Sequence, residues 1–249
     1  MIGLKTEKEL AAMRDAGRIA AQALQVAGEH CKAGVSTDEI DQAVNRFIVS
    51  SGATPSFLHY NGFPASACIS LNDTVIHGIP SRTQILKDGD IVSVDVGAFY
   101  HGFHGDNAYT FAVGAISNEA ATLLDVTKGS LEAAIKKAVV GNRIGDISFA
   151  VSEFVKPYSY GVVKEYVGHG VGEKLHESPE VPNYGIPGHG PRLLPGMVIA
   201  IEPMINQSDA RVRTLDDGWT VKTLDKGLSA HFEHTIAITK DGPMILTKA

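Results

Sequence analysis

The chain states one short pattern twice, and that repetition limits its possible folds more than any other feature. Leu86-Lys87-Asp88-Gly89 leads into Asp90-Ile91-Val92-Ser93-Val94 and then Asp95. Leu193-Leu194-Pro195-Gly196 leads into Met197-Val198-Ile199-Ala200-Ile201 and then Glu202. In both, a Leu stands three before the Gly and an acid six after it. A second matched pair follows: Asp106 opens Asp-Asn-Ala-Tyr-Thr-Phe-Ala-Val, and Glu233 opens Glu-His-Thr-Ile-Ala-Ile-Thr. Each half thus offers a turn, a strand ending in an acid, a loop, and an acid opening another strand. The pattern predicts two related halves, joined by a pseudo-two-fold, that set four carboxylates on one shared sheet surface. The competing reading is chance likeness between two apolar strands, since a turn glycine before a strand is common.

A carboxylate in a strand that otherwise reads as core is costly unless something neutralises it. His169, inside Gly168-His169-Gly170-Val171-Gly172, adds an imidazole. Asp95, Asp106, His169, Glu202 and Glu233 together suit hard or borderline divalent cations such as Mn, Fe, Co or Zn. Two ions sharing some carboxylates would use every ligand and leave room for water.

The local signals predict an α+β domain spanning 1–249. Thr6 with Glu9, and Ser36 with Glu39, are capping boxes that open two helices, and Gly52 stops the second. Cys68–Leu71 reads as a strand, and Ile91–Tyr100 with Asp106–Val113 as a hairpin. Asn118–Val140 and Asp146–Val155 read as helices. Strands return at Met197–Ile201, Trp219–Thr223 and Phe232–Thr239, after a Gly/Pro-rich stretch. Helices and sheet segments are interleaved, which favours one domain over two. A net charge of −6 speaks against autonomous nucleic-acid binding. No stretch approaches a membrane span, and the charged start carries no apolar leader core, so the cytoplasm is expected. Two cysteines are too few for a disulfide framework.

Other histidines need weighing. His101 and His104 sit in a predicted hairpin loop and read as exposed turn residues rather than ligands. His234 should point away from the acids if Glu233 points toward them, and His231 should share the side of Glu233. The glycine run around His169 lacks G-x-G-x-x-G spacing, so it is not read as a dinucleotide loop. No G-x-S-x-G elbow is present. Cys68, between Ala67 and Ile69, reads as a pocket wall rather than a nucleophile. His77 and His176 lie in loops with apolar, Gly or Pro neighbours. Either alone reads as structural, but beside a metal pair they suit stabilisation of charge on a substrate.

Taken together, Cys68–Asn72, His77-Gly78-Ile79-Pro80, Asp95, Gly102–Asp106, Gly168–Gly172, His176-Glu177, Ile201-Glu202-Pro203, Asp217-Gly218-Trp219 and Glu233-His234-Thr235 closely resemble the bacterial, type I methionine aminopeptidases. Glu202 and Glu233 stand only 31 apart, too close for the helical insertion of the type II forms. Aminopeptidase P and prolidase share the five ligands but carry an extra N-terminal domain. The resemblance implies the pita-bread fold: a curved antiparallel sheet, helices on its convex side, metals in its concave face. It implies two divalent ions (Fe, Mn, Co or Zn), with Asp95 on one, His169 and Glu202 on the other, and Asp106 and Glu233 bridging. Glu202 would move protons, His176 would stabilise the tetrahedral intermediate, and His77 would hold the peptide. Phe57, Tyr60, Phe63, Cys68, Tyr166, Leu175 and Trp219 would enclose the methionine side chain.

The implied substrates are nascent polypeptides and peptides with N-terminal Met and a small second residue, with the ribosome a candidate partner. No membrane is involved, and the chain is expected to act as a monomer. Departures from the usual family pattern fall at Asn107, Phe57, Phe63, Leu175 and His231, and they bear on pocket shape and rate. The alternatives are an X-Pro exopeptidase and a metal-free binding protein on the same fold.

Overall fold

Thr6 and Ser36 each close the expected capping box, opening α1 (Glu7–His30) and α2 (Thr37–Ser50) in a computed structural model that describes residues 2–249. Met1 lies outside the described residues. In each box the hydroxyl accepts from the third backbone N–H while a Glu side chain reaches back, together about 1 kcal/mol of helix stability. The buried side of α1 runs through Met13, Gly17, Ala20, Leu24 and Ala27, one face at helical spacing.

Between the helix pairs lie β1 (Thr54–Pro55), β2 (Ala67–Leu71), β3 (Thr74–Ile76), β4 (Ile91–Tyr100) and β5 (Phe103–Ala112). The second helix pair is α3 (Asn118–Ile135) and α4 (Ile144–Val155). Then come β6 (Gly161–Val162), β7 (Gly168–Gly170), β8 (Glu177–Val181), β9 (Val198–Ile201) and β10 (Met204–Asn206). The last strands are β11 (Val212–Thr214), β12 (Val221–Thr223), β13 (Ser229–His231), β14 (His234–Thr239) and β15 (Gly242–Ile245). Every pairing among the described strands is antiparallel. β4 is flanked by β1, β2 and β5, and the second half runs β15-β14-β9-β7-β8.

Each helix pair covers its own half. Ile40, Val44 and Leu24 pack on Ile69, Val92, Val94 and Val96. Leu123, Val126, Ile147 and Val151 pack with Ile199, Ile201, Ile236 and Ile238. The halves meet where the acids are. The Glu233 N–H donates to the Ala108 carbonyl at 2.9 Å. The Asp106 N–H donates to Thr235 Oγ1 at 3.1 Å, and that hydroxyl donates to the Asp106 carbonyl at 2.8 Å.

Three expectations about elements are corrected. The β4–β5 hairpin closes with only His101-Gly102, both at positive φ (51° and 86°), so β5 begins at Phe103 and His104 belongs to the strand. α3 stops at Ile135 rather than Val140. The chain there turns through Lys137 and Ala138, and the Asn142 side chain takes the Lys137 carbonyl. The strand expected over 232–239 begins two residues later, as β14: Phe232 and Glu233 lie between β13, which pairs with β10, and β14, which pairs with β9.

Candidate metal centre and active site

The pleat of β4 places Val94 and Val96 against the α1–α2 core, so Asp95 faces the other way. Asp106 lies diagonally across on β5, two positions from the residue opposite Asp95, and therefore on the same face. Glu202 follows β9 directly. The register Ile201↔His234 continues to bring it alongside Glu233. His169 is the middle residue of β7, which pairs with β8 and β9. All five line one cavity of about 420 Å³.

Their geometry is tight. Ligand atoms of Asp106, His169 and Glu233 lie within 4.8 Å of one another. His169 Nε2 stands 3.5 Å from Glu202 Oε1 and 3.7 Å from Asp106 Oδ2. Its Nδ1 lies 2.9 Å from the Gly170 carbonyl, so Nδ1 carries the proton and Nε2 presents its lone pair to the acids. Asp95 and Asp106 are within hydrogen-bonding reach of each other.

Burial, and then the neighbouring acids, hold Asp95 and Glu233 well above the usual carboxylate range. Glu202 is raised in the same way, by burial and then Asp106. Asp106 is pushed up to about 7, mainly by burial. Burial also depresses His169 to about 3. Left to themselves these acids would hold protons. Asp95 Oδ1, Asp106 Oδ1 and Glu233 Oε1 are buried without hydrogen-bond partners. Orphaned carboxylate oxygens converging beside a neutral imidazole fit divalent cations and are otherwise expensive.

The rest of the cavity is an aromatic sleeve. Phe57, Tyr60, Phe63, Cys68, Leu175 and Trp219 line it, and Asn61, which the sequence reading did not single out, joins them. Phe63 and Trp219 meet edge to face at 5.2 Å. Cys68 is the cross-strand neighbour of Asp95, and burial followed by the Asp95 charge keeps its thiol protonated, as suits a wall. Tyr166 is not among the lining residues; its ring stands edge-on to His77 at 5.8 Å. Its contact with the cavity is therefore through His77.

His77 lines the cavity at φ 56°, a left-handed conformation uncommon for a side chain of this size, and burial lowers it to about 4. His176 is open at the rim. Its Nδ1 lies 2.9 Å from the Tyr60 hydroxyl, and its ring centre is 4.1 Å from that of His169. His231 Nε2 approaches Glu202 Oε2 at 3.6 Å, on the metal side as strand parity suggests. His234 points away and bonds Thr247 Oγ1 at 2.9 Å. His101 is an exposed turn residue, but His104 is not: half-buried in β5, it bonds Ser56 Oγ at 2.8 Å. The two-residue turn moved it into the strand.

A family model described as metallopeptidase family M24 matches residues 11–240. Methionine aminopeptidase 1 of Bacillus subtilis is 52% identical over 248 residues, covering 100% of both chains. The crystal structure of a methionine aminopeptidase from Thermotoga maritima superposes with a TM-score of 0.98 at 43% identity, covering 100% of both. A prolidase from Pyrococcus furiosus superposes with a TM-score of 0.81 at 26% identity, covering 99% of this chain and 65% of its own.

Proposed function

The chain belongs to metallopeptidase family M24, and from that premise we propose how its residues release an N-terminal methionine. It is a metalloaminopeptidase that uses divalent metal and hydrolyses the bond after a terminal Met. The observation that carries the reading is the group of buried, unpartnered carboxylate oxygens beside His169, at the base of an aromatic cavity.

In our reading Asp95, Asp106, His169, Glu202 and Glu233 would hold two ions, Asp95 toward one, His169 and Glu202 toward the other, and Asp106 and Glu233 placed to serve both. Bound there, divalent metal would supply Lewis acidity toward water, the scissile carbonyl and a free α-amine, which would confine cleavage to the chain terminus. Glu202 accepts the proton of the attacking water and returns it to the leaving amine. His176 takes a hydrogen bond from the Tyr60 hydroxyl at Nδ1, leaving a proton on Nε2 to donate to the developing oxyanion. His77, neutral at physiological pH, holds the peptide beside the scissile bond. Soft and aromatic walls from Phe57, Tyr60, Phe63, Cys68, Leu175 and Trp219 suit a flexible thioether.

We read residues 1–249 as one catalytic unit acting as a monomer, since all five ligands come from one chain and from both of its halves. In this reading the enzyme acts in the cytoplasm on nascent chains. Among the described residues no helix is long and apolar enough to cross a membrane. A bulky second side chain would crowd the loops around His77 and His176. The test is a peptide panel with purified enzyme and Mn or Co. Met-Ala, Met-Gly and Met-Ser peptides should be cleaved, and Met-Ile and Met-Leu spared. Rapid release from Ala-Pro peptides with none from Met-Ala would defeat the reading in favour of an X-Pro enzyme.

A further inference from the structure

The loop that presents His176 is gripped from outside the cavity. Glu177 follows it and opens β8, and successive side chains of an extended segment point to opposite sides. His176 reaches the cavity rim; Glu177 turns toward the segment preceding α1. There Lys5 Nζ meets Glu177 Oε2 at 2.9 Å, with the two side chains only 10% and 20% exposed. The other oxygen, Glu177 Oε1, accepts from the Lys174 N–H at 3.2 Å. Both carboxylate oxygens are therefore committed.

Lys5 is itself fixed, its N–H donating to the Gly196 carbonyl at 2.7 Å. The pair also explains a glycine that the metal site does not require. A Cβ on Gly172 would collide with Glu177 Oε1 and Lys5 Nζ, so the last glycine of the run around His169 makes room for this ion pair. On the cavity side, Tyr60 stacks on the His176 ring at 5.3 Å and bonds its Nδ1. Tyr60 thus holds the ring, and Lys5 with Glu177 holds the backbone beneath it.

We infer that Lys5, through its ion pair with Glu177, is a positioning residue for His176. The inference rests on the oxyanion role given to His176 above. Lys5 touches neither the carboxylates nor the aromatic sleeve. Its effect is to keep the Leu175-His176-Glu177 stretch in one setting, so that Nε2 reaches the reacting carbonyl without rearrangement. Ion pairs that span 172 residues and are largely removed from water fix geometry, whereas exposed pairs close in sequence do little.

A double-mutant cycle separates this role from general support of the fold. The four proteins are wild type, Lys5→Met, His176→Ala and the double variant, assayed for kcat and KM on a Met-Ala peptide, with bound metal measured by atomic emission. Lys5→Met should lower kcat by about 10- to 30-fold, a part of the ~10²–10³ lost when such a donor is removed outright. KM should stay within about twofold and metal content should not change. In the His176→Ala background Lys5→Met should cost nothing more. An equal loss in both backgrounds, or no loss in the wild type, overturns the inference while leaving the role of His176 standing. Full kcat in His176→Ala brings down that role and the inference with it. If Lys5→Met does not fold, Glu177→Gln carries the same cycle with the same expectations, because the amide oxygen still accepts from Lys174. Lys5→Arg, which keeps the cation, should retain most of kcat.

Discussion

Each half of the molecule presents two acids from neighbouring antiparallel strands or their ends, but the two halves join them differently. Asp95 and Asp106 are linked by a tight hairpin whose turn is His101-Gly102. Glu202 and Glu233 are separated by an excursion through β10, β11, β12 and β13. The first half spends its loops on the pocket: Phe57, Tyr60, Phe63 and His77 all precede β4, and Cys68 lies beside Asp95. In the proposed mechanism the second half supplies His169 as a ligand, Glu202 to move protons and His176 to meet developing charge. Trp219, on the excursion, reaches back to close the sleeve against Phe63. The lesson is that a duplicated frame can supply matched ligands while each copy specialises in its connections.

Removing the acid that opens the second strand of each half tests that equivalence most severely. Asp106→Ala and Glu233→Ala should each cut turnover by at least ~10³-fold and lose bound metal to a similar extent if, as proposed, each carboxylate serves both ions. Calorimetry showing two tightly bound ions in either variant would break the bridging assignment and the symmetry with it. Next in size is a group confined to the second half. His176→Ala should keep its metal while kcat falls ~10²–10³-fold; a large drop in metal affinity would instead make His176 a ligand.

A third test uses pH. In the metal-free fold Asp106 titrates near 7, while burial keeps His169 neutral down to about 3. A raised carboxyl favours the metal-free fold below the ordinary carboxylate value, and that contribution is lost as pH rises through about 7. Cation binding must expel this proton at low pH but not at high pH. The gap in Tm between metal-loaded and metal-free protein should therefore widen from pH 5.5 to 8, read by calorimetry at fixed free metal. A flat gap would mean that cation binding displaces no proton from this cluster of buried acids.

Smaller effects belong to the first half. Phe57→Cys should widen the sleeve, shifting KM by roughly threefold to tenfold and improving acceptance of ethionine, with metal content unchanged. Identical kinetics on methionine, norleucine and ethionine peptides would remove Phe57 from the pocket. Smallest of all, Gly102→Ala meets no neighbouring atom within 4 Å but must hold φ 86°. It should cost about 1 kcal/mol in denaturant melts and leave kcat alone. A loss of activity would show that the turn acts on the metals.

The parts legible in the sequence were those written as periodic or repeated patterns. The capping boxes at Thr6 and Ser36 fixed two helix starts, and the turn-strand-acid repeat brought Asp95, Asp106, Glu202 and Glu233 to one cavity. What escaped was governed by tertiary contact. His104 looked like a turn residue because a two-residue turn leaves almost no signal beyond one glycine. α3 seemed to run on because Ala138 and Val140 keep an apolar rhythm after the helix has ended. β6, β10 and β13 are two or three residues long and exist only through their partners. Asn61 reaches the cavity from a left-handed backbone that no spacing rule anticipates.

The bonds between the Asp106 backbone and Thr235 Oγ1 cross 129 residues of chain. Closures of that length come late in folding, after local helices and hairpins have formed. A copy still emerging from synthesis, grown only as far as β10, already owns Asp95, Asp106, His169 and Glu202. It lacks Glu233 and the strand that stitches the two halves together. Such a chain cannot process its neighbours, however well its first hairpin is formed. The last ligand therefore joins the others only where the chain entering β14 is bonded to β5.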